Sequence, residues 1–501
     1  MQADTWKPLV KKIRTDSGYY LYDARSNRLM RVTAEMFELV DSLRETPKEN
    51  IIGSIKPDNQ MVKSASDKLE ELSDNYGLFQ SGPLKQRVAP VCNDFTAAQI
   101  RNGSKMLTIE ATDSCNMRCD YCIFSGGYQF YRQRGSRNIS IETARAAVDY
   151  YLSHKKGKEQ VSIGFYGGEP LLNFDVIEKC CEYAREVEKI NGQDRRLDFS
   201  ITTNGTLLDD ERISWLMEKE FSITVSCDGP ASIHDKHRVF PNGRGSFDIV
   251  FQNLQKIYKK DKHFYKHHIL INCVICPCSN LMDLRNFFER YSHLFGDGKL
   301  KVSNISEGNA DYFKRHPPYL NRNEDLEDLH REYINAHIFG KTSNKDFLNS
   351  FSRQFFEQDY LFLHRRNVLN KAVDPLHRIN TCFPGERKVF VDVDGNLHMC
   401  ERVNRHFPIG DVWNGYDVER IKTIFNDFAL TMDSDTCRSC WGVHLCQKCF
   451  TEGTNGVFPN NFQIVDCPNQ LKWFETKITN YCSILEKNPS AFDYMDKYII
   501  S

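Results

Sequence analysis

Apolar and polar positions change their period several times along this chain. Residues 19–23 (YYLYD) and 28–33 (RLMRVT) are short β-type runs joined by a polar turn, Ala24-Arg25-Ser26-Asn27, which predicts a hairpin. Thr33 then stands as a cap before AEMFELVDSL, whose apolar residues fall at helical spacing, and a second helical stretch covers about 61–74. The segment from Gly82 to Gly103 is irregular and polar and reads as a linker. Beyond it the pattern becomes strand, loop, helix, repeated. Strands are predicted at 106–112, 161–167, 197–203, 221–227, 268–275 and 299–303, with amphipathic helices at about 140–154, 174–190, 209–219, 246–260 and 280–292. Six strands alternating with helices predict parallel β/α units, wound open or closed into a barrel. Residues 310–375 look helical and polar, a cysteine-rich part runs from 382 to 467, and a helical tail follows. There are no internal repeats and no low-complexity segments.

Composition narrows the class. A length of 501 residues suggests two to four domains, and 40% hydrophobic with 27% charged residues is ordinary for a soluble globular protein. A net charge of −1 gives no global attraction to nucleic acid or to an anionic membrane. The first residues, MQADTWKPLVKKIRTD, have no apolar core of a signal peptide, and no apolar run approaches the ~20 residues that span a bilayer. The expected location is the cytoplasm, with neither nucleic acid nor membrane as a partner. In a reducing compartment the eighteen cysteines read as metal ligands or catalytic groups rather than disulfides.

Cys115, Cys119 and Cys122 are spaced C-x3-C-x2-C in the loop after the strand at 106–112. Three thiolates so close can hold three irons of a cubane cluster and leave the fourth iron for a small molecule. A disulfide would leave one thiol over, and zinc would lack a nearby fourth ligand; on spacing alone, zinc and chance stay open. In a β/α barrel, chemistry sits at the C-terminal ends of the strands. Here those ends carry small or polar residues: Gly167-Gly168-Glu169-Pro170, Thr203-Asn204-Gly205, Ser226 with Asp228-Gly229, and Ser279-Asn280. Each alone is also a plain turn. Four of them on the cluster side are hard to assign to turns.

The cysteine triad, Tyr121 as the aromatic before the last cysteine, and the GGEP run together resemble the radical S-adenosylmethionine (SAM) superfamily over roughly 105–305. The resemblance implies a partial (β/α)6 barrel in which SAM chelates the unique iron of a [4Fe-4S] cluster. Its reductive cleavage then yields a 5′-deoxyadenosyl radical that abstracts a substrate hydrogen. It further implies that Gly167, Gly168 and Glu169 meet the SAM amino group, and it makes Thr203, Asn204, Ser226 and Asp228 candidates for the ribose or carboxylate. Arg238, in the run HDKHR, is a candidate partner of the SAM carboxylate or a surface arginine. An electron donor such as flavodoxin or ferredoxin is implied as well.

The later cysteines follow the order Cys382, Cys400, Cys437-x2-Cys440, Cys446-x2-Cys449, Cys467. Paired C-x2-C is a common zinc signature, and taken without the barrel, zinc and iron are equal readings. With the barrel attached, the order resembles the seven-cysteine SPASM extension of radical SAM peptide-modifying enzymes. That family usually has three residues where this chain has two, between Cys446 and Cys449. By the resemblance Cys437, Cys440, Cys446 and Cys467 ligate an outer auxiliary cluster, and Cys382, Cys400 and Cys449 an inner one, for three [4Fe-4S] clusters in all. The stretch 383–388 offers no further thiol, so the inner cluster has room for an open iron. Glu401 matches the position of an acidic base in sulfatase-maturing relatives, and a salt-bridged glutamate is the plainer reading. Cys273, Cys276 and Cys278, like Cys180, Cys181, Cys227 and Cys482, read as buried or incidental thiols.

Two strands followed by helices resemble the winged-helix peptide-recognition domain of enzymes that modify ribosomally made peptides, in which a leader peptide adds as a strand. Residues 1–90 hold 14 Lys+Arg against 13 Asp+Glu, too balanced for a DNA-binding winged helix. The expected organisation is a separable recognition unit (1–90), a barrel (104–310), a helical bridge (311–380), an auxiliary-cluster domain (381–470) and a helical tail (471–501). As a whole the layout looks most like the thioether-forming maturases of cysteine-rich precursor peptides. Carbon–carbon crosslinking or sulfatase-type oxidation is the alternative within the enzyme class, and a zinc-stabilised binding protein the alternative outside it.

Overall fold

The computed structural model of the chain describes residues 9–45, 60–79, 83–100, 103–128, 132–155, 160–190, 197–305, 310–371, 381–450 and 467–498. Its centre is a ten-stranded sheet. Six parallel strands form one side: β4 (Met106–Thr112), β5 (Val161–Gly167), β6 (Leu197–Thr203), β7 (Ser222–Ser226), β8 (Ile269–Ile275) and β9 (Leu300–Asn304), hydrogen-bonded in chain order. Helices occupy the intervals, among them Ile141–Ser153, Phe174–Ile190, Asp210–Glu218, Phe247–Lys260 and Leu281–Arg290. Ser140, Asp209 and Asn280 cap three of them by accepting backbone N–H bonds. The strands pack apolar side chains such as Leu107, Ile109, Ile163, Phe165, Ile201, Ile223 and Ile271 into the main core. β4 and β9 do not pair, so the β/α set stays open.

What lies beside β4 was not visible in the sequence. β10 (Lys388–Val391) pairs with it in parallel, Lys388 opposite Met106 through Val391 opposite Ile109. An antiparallel meander, β11 (Asn396–His398), β12 (Gly410–Asp411) and β13 (Gly415–Tyr416), continues the sheet outward. The cysteine-rich segment is therefore grafted onto the barrel sheet, and both share one hydrophobic core.

The N-terminal unit has three antiparallel strands, β1 (Val10–Arg14), β2 (Tyr19–Asp23) and β3 (Arg28–Val32), in the order β1-β2-β3. β1 was missed because VKKIR places Val10 and Ile13 three apart, which is helical rather than strand spacing. One layer of this unit (Val10, Leu21, Met36, Phe37, Leu69) forms a small core with the helices Ala34–Glu45 and Gln60–Tyr76. The other layer is tied to the rest of the chain. Leu9, Ile13, Tyr20 and Tyr22 join the main core, Tyr22 meets the ring of Trp441 at 6.0 Å, and the hydroxyls of Thr15 and Tyr20 donate to Glu486 at 2.7 and 2.9 Å. The stretch read as a linker holds a helix, Asn93–Ile100, and Asn426 clasps the backbone of Val91 from both sides. Separability thus does not follow from the packing: a cut at residue 90 opens buried apolar surface. Among the described residues no helix is long and apolar enough to cross a membrane.

Candidate active site

β4 ends at Thr112, and the chain then turns into the loop that carries Cys115, Cys119 and Cys122. Asp113 pins its start, accepting from the N–H of Arg137 at 2.7 Å and from its Nε at 2.9 Å. The end of β5 is stitched to the same loop by backbone alone: Gly168 N–H donates to Thr112 O and Glu169 N–H to Ser114 O, both at 2.8 Å. This approach requires glycine. A Cβ on Gly168 would lie 2.0 Å from the carbonyl oxygen of Ser114, and one on Gly167, at φ +132°, 2.2 Å from that of Thr112.

Two more strand ends reach the loop through side chains. After β6, Asn204 Nδ2 donates to Asn116 Oδ1 at 2.8 Å, and Asn116 Nδ2 to Thr206 at 2.9 Å. After β7, the buried Asp228 accepts from the Tyr121 hydroxyl, from Arg238 Nε at 2.8 Å and from Val274 N–H at 2.9 Å. Arg238 is buried over the Tyr121 ring, its carbon 5.4 Å from the centroid, so the surface reading of this residue is excluded. Glu169 is fully buried, and its oxygens take Thr203 Oγ1 (2.7 Å), Asn204 N–H (2.7 Å) and Leu171 N–H (3.1 Å). Burial pushes its carboxyl up to about 7 against those three donors. Ser226 is buried at the tip of β7. The residues singled out along 115–238 thus converge on the ends of four neighbouring strands, and Asn116 and Thr206 join them.

The thiols themselves suit a metal cluster. Burial first, with Glu169 and Cys122 adding, pushes Cys115 up to about 11. Burial again, with Cys122 and Cys115 adding against Arg238, takes Cys119 to about 12. Half-buried thiols that disfavour one another's anions ionise when a cation takes the sulfurs.

The late cysteines sort in the same way. Burial, with Cys446 and Cys437 adding, pushes Cys440 up to about 11, and the same two thiols raise Cys467 beyond what burial does. Cys437 and Cys446 thus act on both Cys440 and Cys467. Cys400 is a separate case: burial first, then Glu401 and Cys449, push it up to about 12. Cys382 is exposed, with Arg387 Nη1 3.9 Å from its sulfur. Glu401 is held by Lys388, whose Nζ lies 3.0 and 3.2 Å from the two carboxylate oxygens. Burial would raise this carboxyl, but Lys388 and then Arg132 outweigh it and hold it below the usual range. Arg132 also donates to the backbone oxygen of Glu401 at 2.9 Å and pairs with the buried Glu110 of β4. It therefore connects the first strand to the residue after Cys400.

The loop of three thiols stands at the end of the first strand of an open parallel sheet, ringed by the next strand ends, where the resemblance to radical SAM enzymes expects it. Residues 109–289 match the Radical SAM superfamily. The chain is 30% identical over 357 residues to a cysteine-type anaerobic sulfatase-maturating enzyme of Clostridium perfringens strain 13, covering 69% of this chain and 85% of that one. It is 28% identical over 396 residues to the cysteine-type enzyme of Clostridium novyi, covering 75% and 95%. Three other matches span less than half of the relative's own length. Among solved structures, native anSMEcpe with bound AdoMet shares the fold at a TM-score of 0.52 and 21% identity, covering 78% of this chain and 100% of that one. The chain belongs to the radical SAM superfamily.

Proposed function

We propose that the chain is a peptide maturase that joins a cysteine sulfur of a ribosomally made precursor to a carbon of the same peptide. The observation that carries this is the sorting of the late cysteines. Cys437 and Cys446 raise both Cys440 and Cys467, Cys449 raises Cys400, and 383–388 holds no thiol, as an outer set of four and a smaller inner set would require. Three [4Fe-4S] clusters follow, one on Cys115, Cys119 and Cys122 and two in a SPASM-type domain over 381–470. The inner one keeps an iron position for a substrate thiolate, whose pKa a metal lowers and whose sulfur it orients.

With SAM and the clusters bound, the cofactors supply the hydrogen-abstracting radical. The chain supplies position. Gly167, Gly168 and Glu169 receive the SAM amino group, and Thr203, Asn204 and Ser226 the ribose. Arg238 takes the carboxylate, with Asp228 as the buried support that aims it. Glu401 accepts a proton only after Lys388 is displaced, because an ion-paired carboxyl is a weak base. The outer edge of β3 pairs with no other described strand and suits an added leader strand, which assigns leader recognition to the winged-helix-like unit 1–90.

Thioether formation removes two hydrogens, one from carbon and one from sulfur. Replacing the precursor's cysteines by serine is therefore expected to abolish the two-hydrogen mass loss while leader affinity stays within about twofold, since the leader is read through main-chain bonds. The names of the sulfatase-maturating relatives favour a second reading, oxidation of a side chain at its own carbon. Loss of two hydrogens per site from the serine peptide would end the first reading and leave side-chain oxidation or a carbon–carbon crosslink in its place.

A further inference from the structure

Cys276 and Cys278, read from the sequence as incidental, stand against the cluster loop. With Tyr121, Ile305 and Tyr312 they form a small packed group that Cys119 also touches, just past the end of β8. The two sulfurs are joined in this structure. Cys276 Sγ accepts from the Tyr312 hydroxyl at 3.0 Å and from the N–H of Cys278 at 3.1 Å. His237 Nε2 faces Cys278 Sγ at 3.7 Å and the Tyr312 oxygen at 3.4 Å. The ligand atoms of His237, Cys276 and Cys278 all lie within 4.8 Å of one another.

The other side of His237 fixes what Nε2 offers. Nδ1 lies 3.1 Å from Asp120 Oδ1, and His316 Nε2 lies 2.7 Å from Asp120 Oδ2. A carboxylate only accepts, so Asp120 takes a hydrogen from Nδ1, and the neutral ring in that tautomer turns its Nε2 lone pair to the sulfurs. A carboxylate behind a histidine whose free nitrogen faces two thiols is the outer arrangement of metal-bound histidines. Donors to sulfur, here Tyr312 and the Cys278 N–H, play the same supporting part. A chain whose clusters work at low potential meets conditions under which an ordinary disulfide is reduced. Two electrons from a low-potential donor of the flavodoxin or ferredoxin class and two protons from solvent open the Cys276–Cys278 bond and leave a dithiol, the form that can ligate.

We infer that Cys276, Cys278 and the Nε2 of His237 form a binding site for a soft divalent cation of the zinc class, oriented by Asp120. Two thiolates and an imidazole match such a cation in softness, and three protein donors leave one position open. The site faces the C-terminal end of a barrel strand, and through Asp120, which lies between Cys119 and Tyr121, it holds the cluster loop from behind.

The holoenzyme, reconstituted anaerobically with iron and sulfide and freed of loose metal, is titrated with Zn2+ against a chromophoric chelator, and both metals are counted by elemental analysis. One tight equivalent of zinc is expected, with two sulfur and one or two nitrogen or oxygen neighbours at the zinc absorption edge. The Cys276→Ser/Cys278→Ser variant should lose that equivalent with its iron unchanged. Asp120→Asn should weaken it about 10- to 100-fold, the usual cost of losing a partner behind a ligand. No saturable zinc in the holoenzyme, an equivalent retained in the double variant, or a four-sulfur zinc edge would each overturn the proposal. The last would place the zinc among the late cysteines.

Discussion

Replacing Cys115, Cys119 and Cys122 together by alanine is expected to reduce SAM cleavage to background and to lower iron by about a third, one cubane of three. These thiols hang on a loop held before Cys115 by Asp113 to Arg137, within it by Asn116 to Asn204, and after Cys122 by the Arg134 N–H to the Phe124 carbonyl. The substitution therefore removes ligands rather than architecture. Counting 5′-deoxyadenosine under strong reductant, with iron per chain beside it, checks the outcome. Cleavage that survives in the triple variant would mean that SAM is held by one of the late cysteine sets instead. The late sets should keep their iron, because the substitution leaves all seven cysteines of 382–467 in place.

Gly168→Ala is expected to be nearly as damaging with every ligand in place. Gly168 does not have a positive φ, so alanine meets no backbone objection there, and the cost is purely one of approach. The added methyl would stand 2.0 Å from Ser114 O, against backbone that cannot swing aside as a side chain can. To relieve it, the loop or the β5 end must move by about 1 Å or more. A displacement of that size at a reacting centre costs on the order of 100-fold in rate. Iron content, the cluster's spectroscopic signature with and without SAM, and 5′-deoxyadenosine yield report the effect separately. The expected pattern is retained auxiliary iron, a triad cluster whose spectrum no longer responds fully to SAM, and cleavage down about 100-fold or more. Wild-type cleavage in this variant would show that the two strand ends do not meet as described.

Much of this was legible beforehand, for a physical reason. Buried parallel strands are runs such as VSIGFYG and LDFSITT bounded by glycine and polar turns, and their local pattern fixes both element and direction. The cluster side of the barrel followed, since five of the six strand ends carried thiols or small and polar residues within a few positions. What stayed hidden depended on distant pairing. Nothing in KVFV says that it lies along MLTI, because parallel partners share no turn. Arg238 could not be told from a surface arginine until Asp228, ten residues earlier, was seen buried beneath it. Cys276 and Cys278 looked incidental for the same reason: His237, Tyr312 and Asp120, which give them a setting, come from three other segments.

The pairing of β10 with β4 also fixes an order of events on the ribosome. More than half of the chain separates Thr112 from Lys388, so at ordinary elongation rates the β4 edge waits roughly 15–50 s for its partner. Throughout that interval the strand that delivers Cys115 has an open flank. Cluster-delivery factors can approach the triad loop before the late segment covers that side. The same edge is a hazard in any message cut short. A chain ending at residue 380 leaves one edge of Met106–Ile109 without its β10 partner, a bare apolar strand edge of the kind that recruits other strands. Such a fragment is expected to collect in the insoluble fraction.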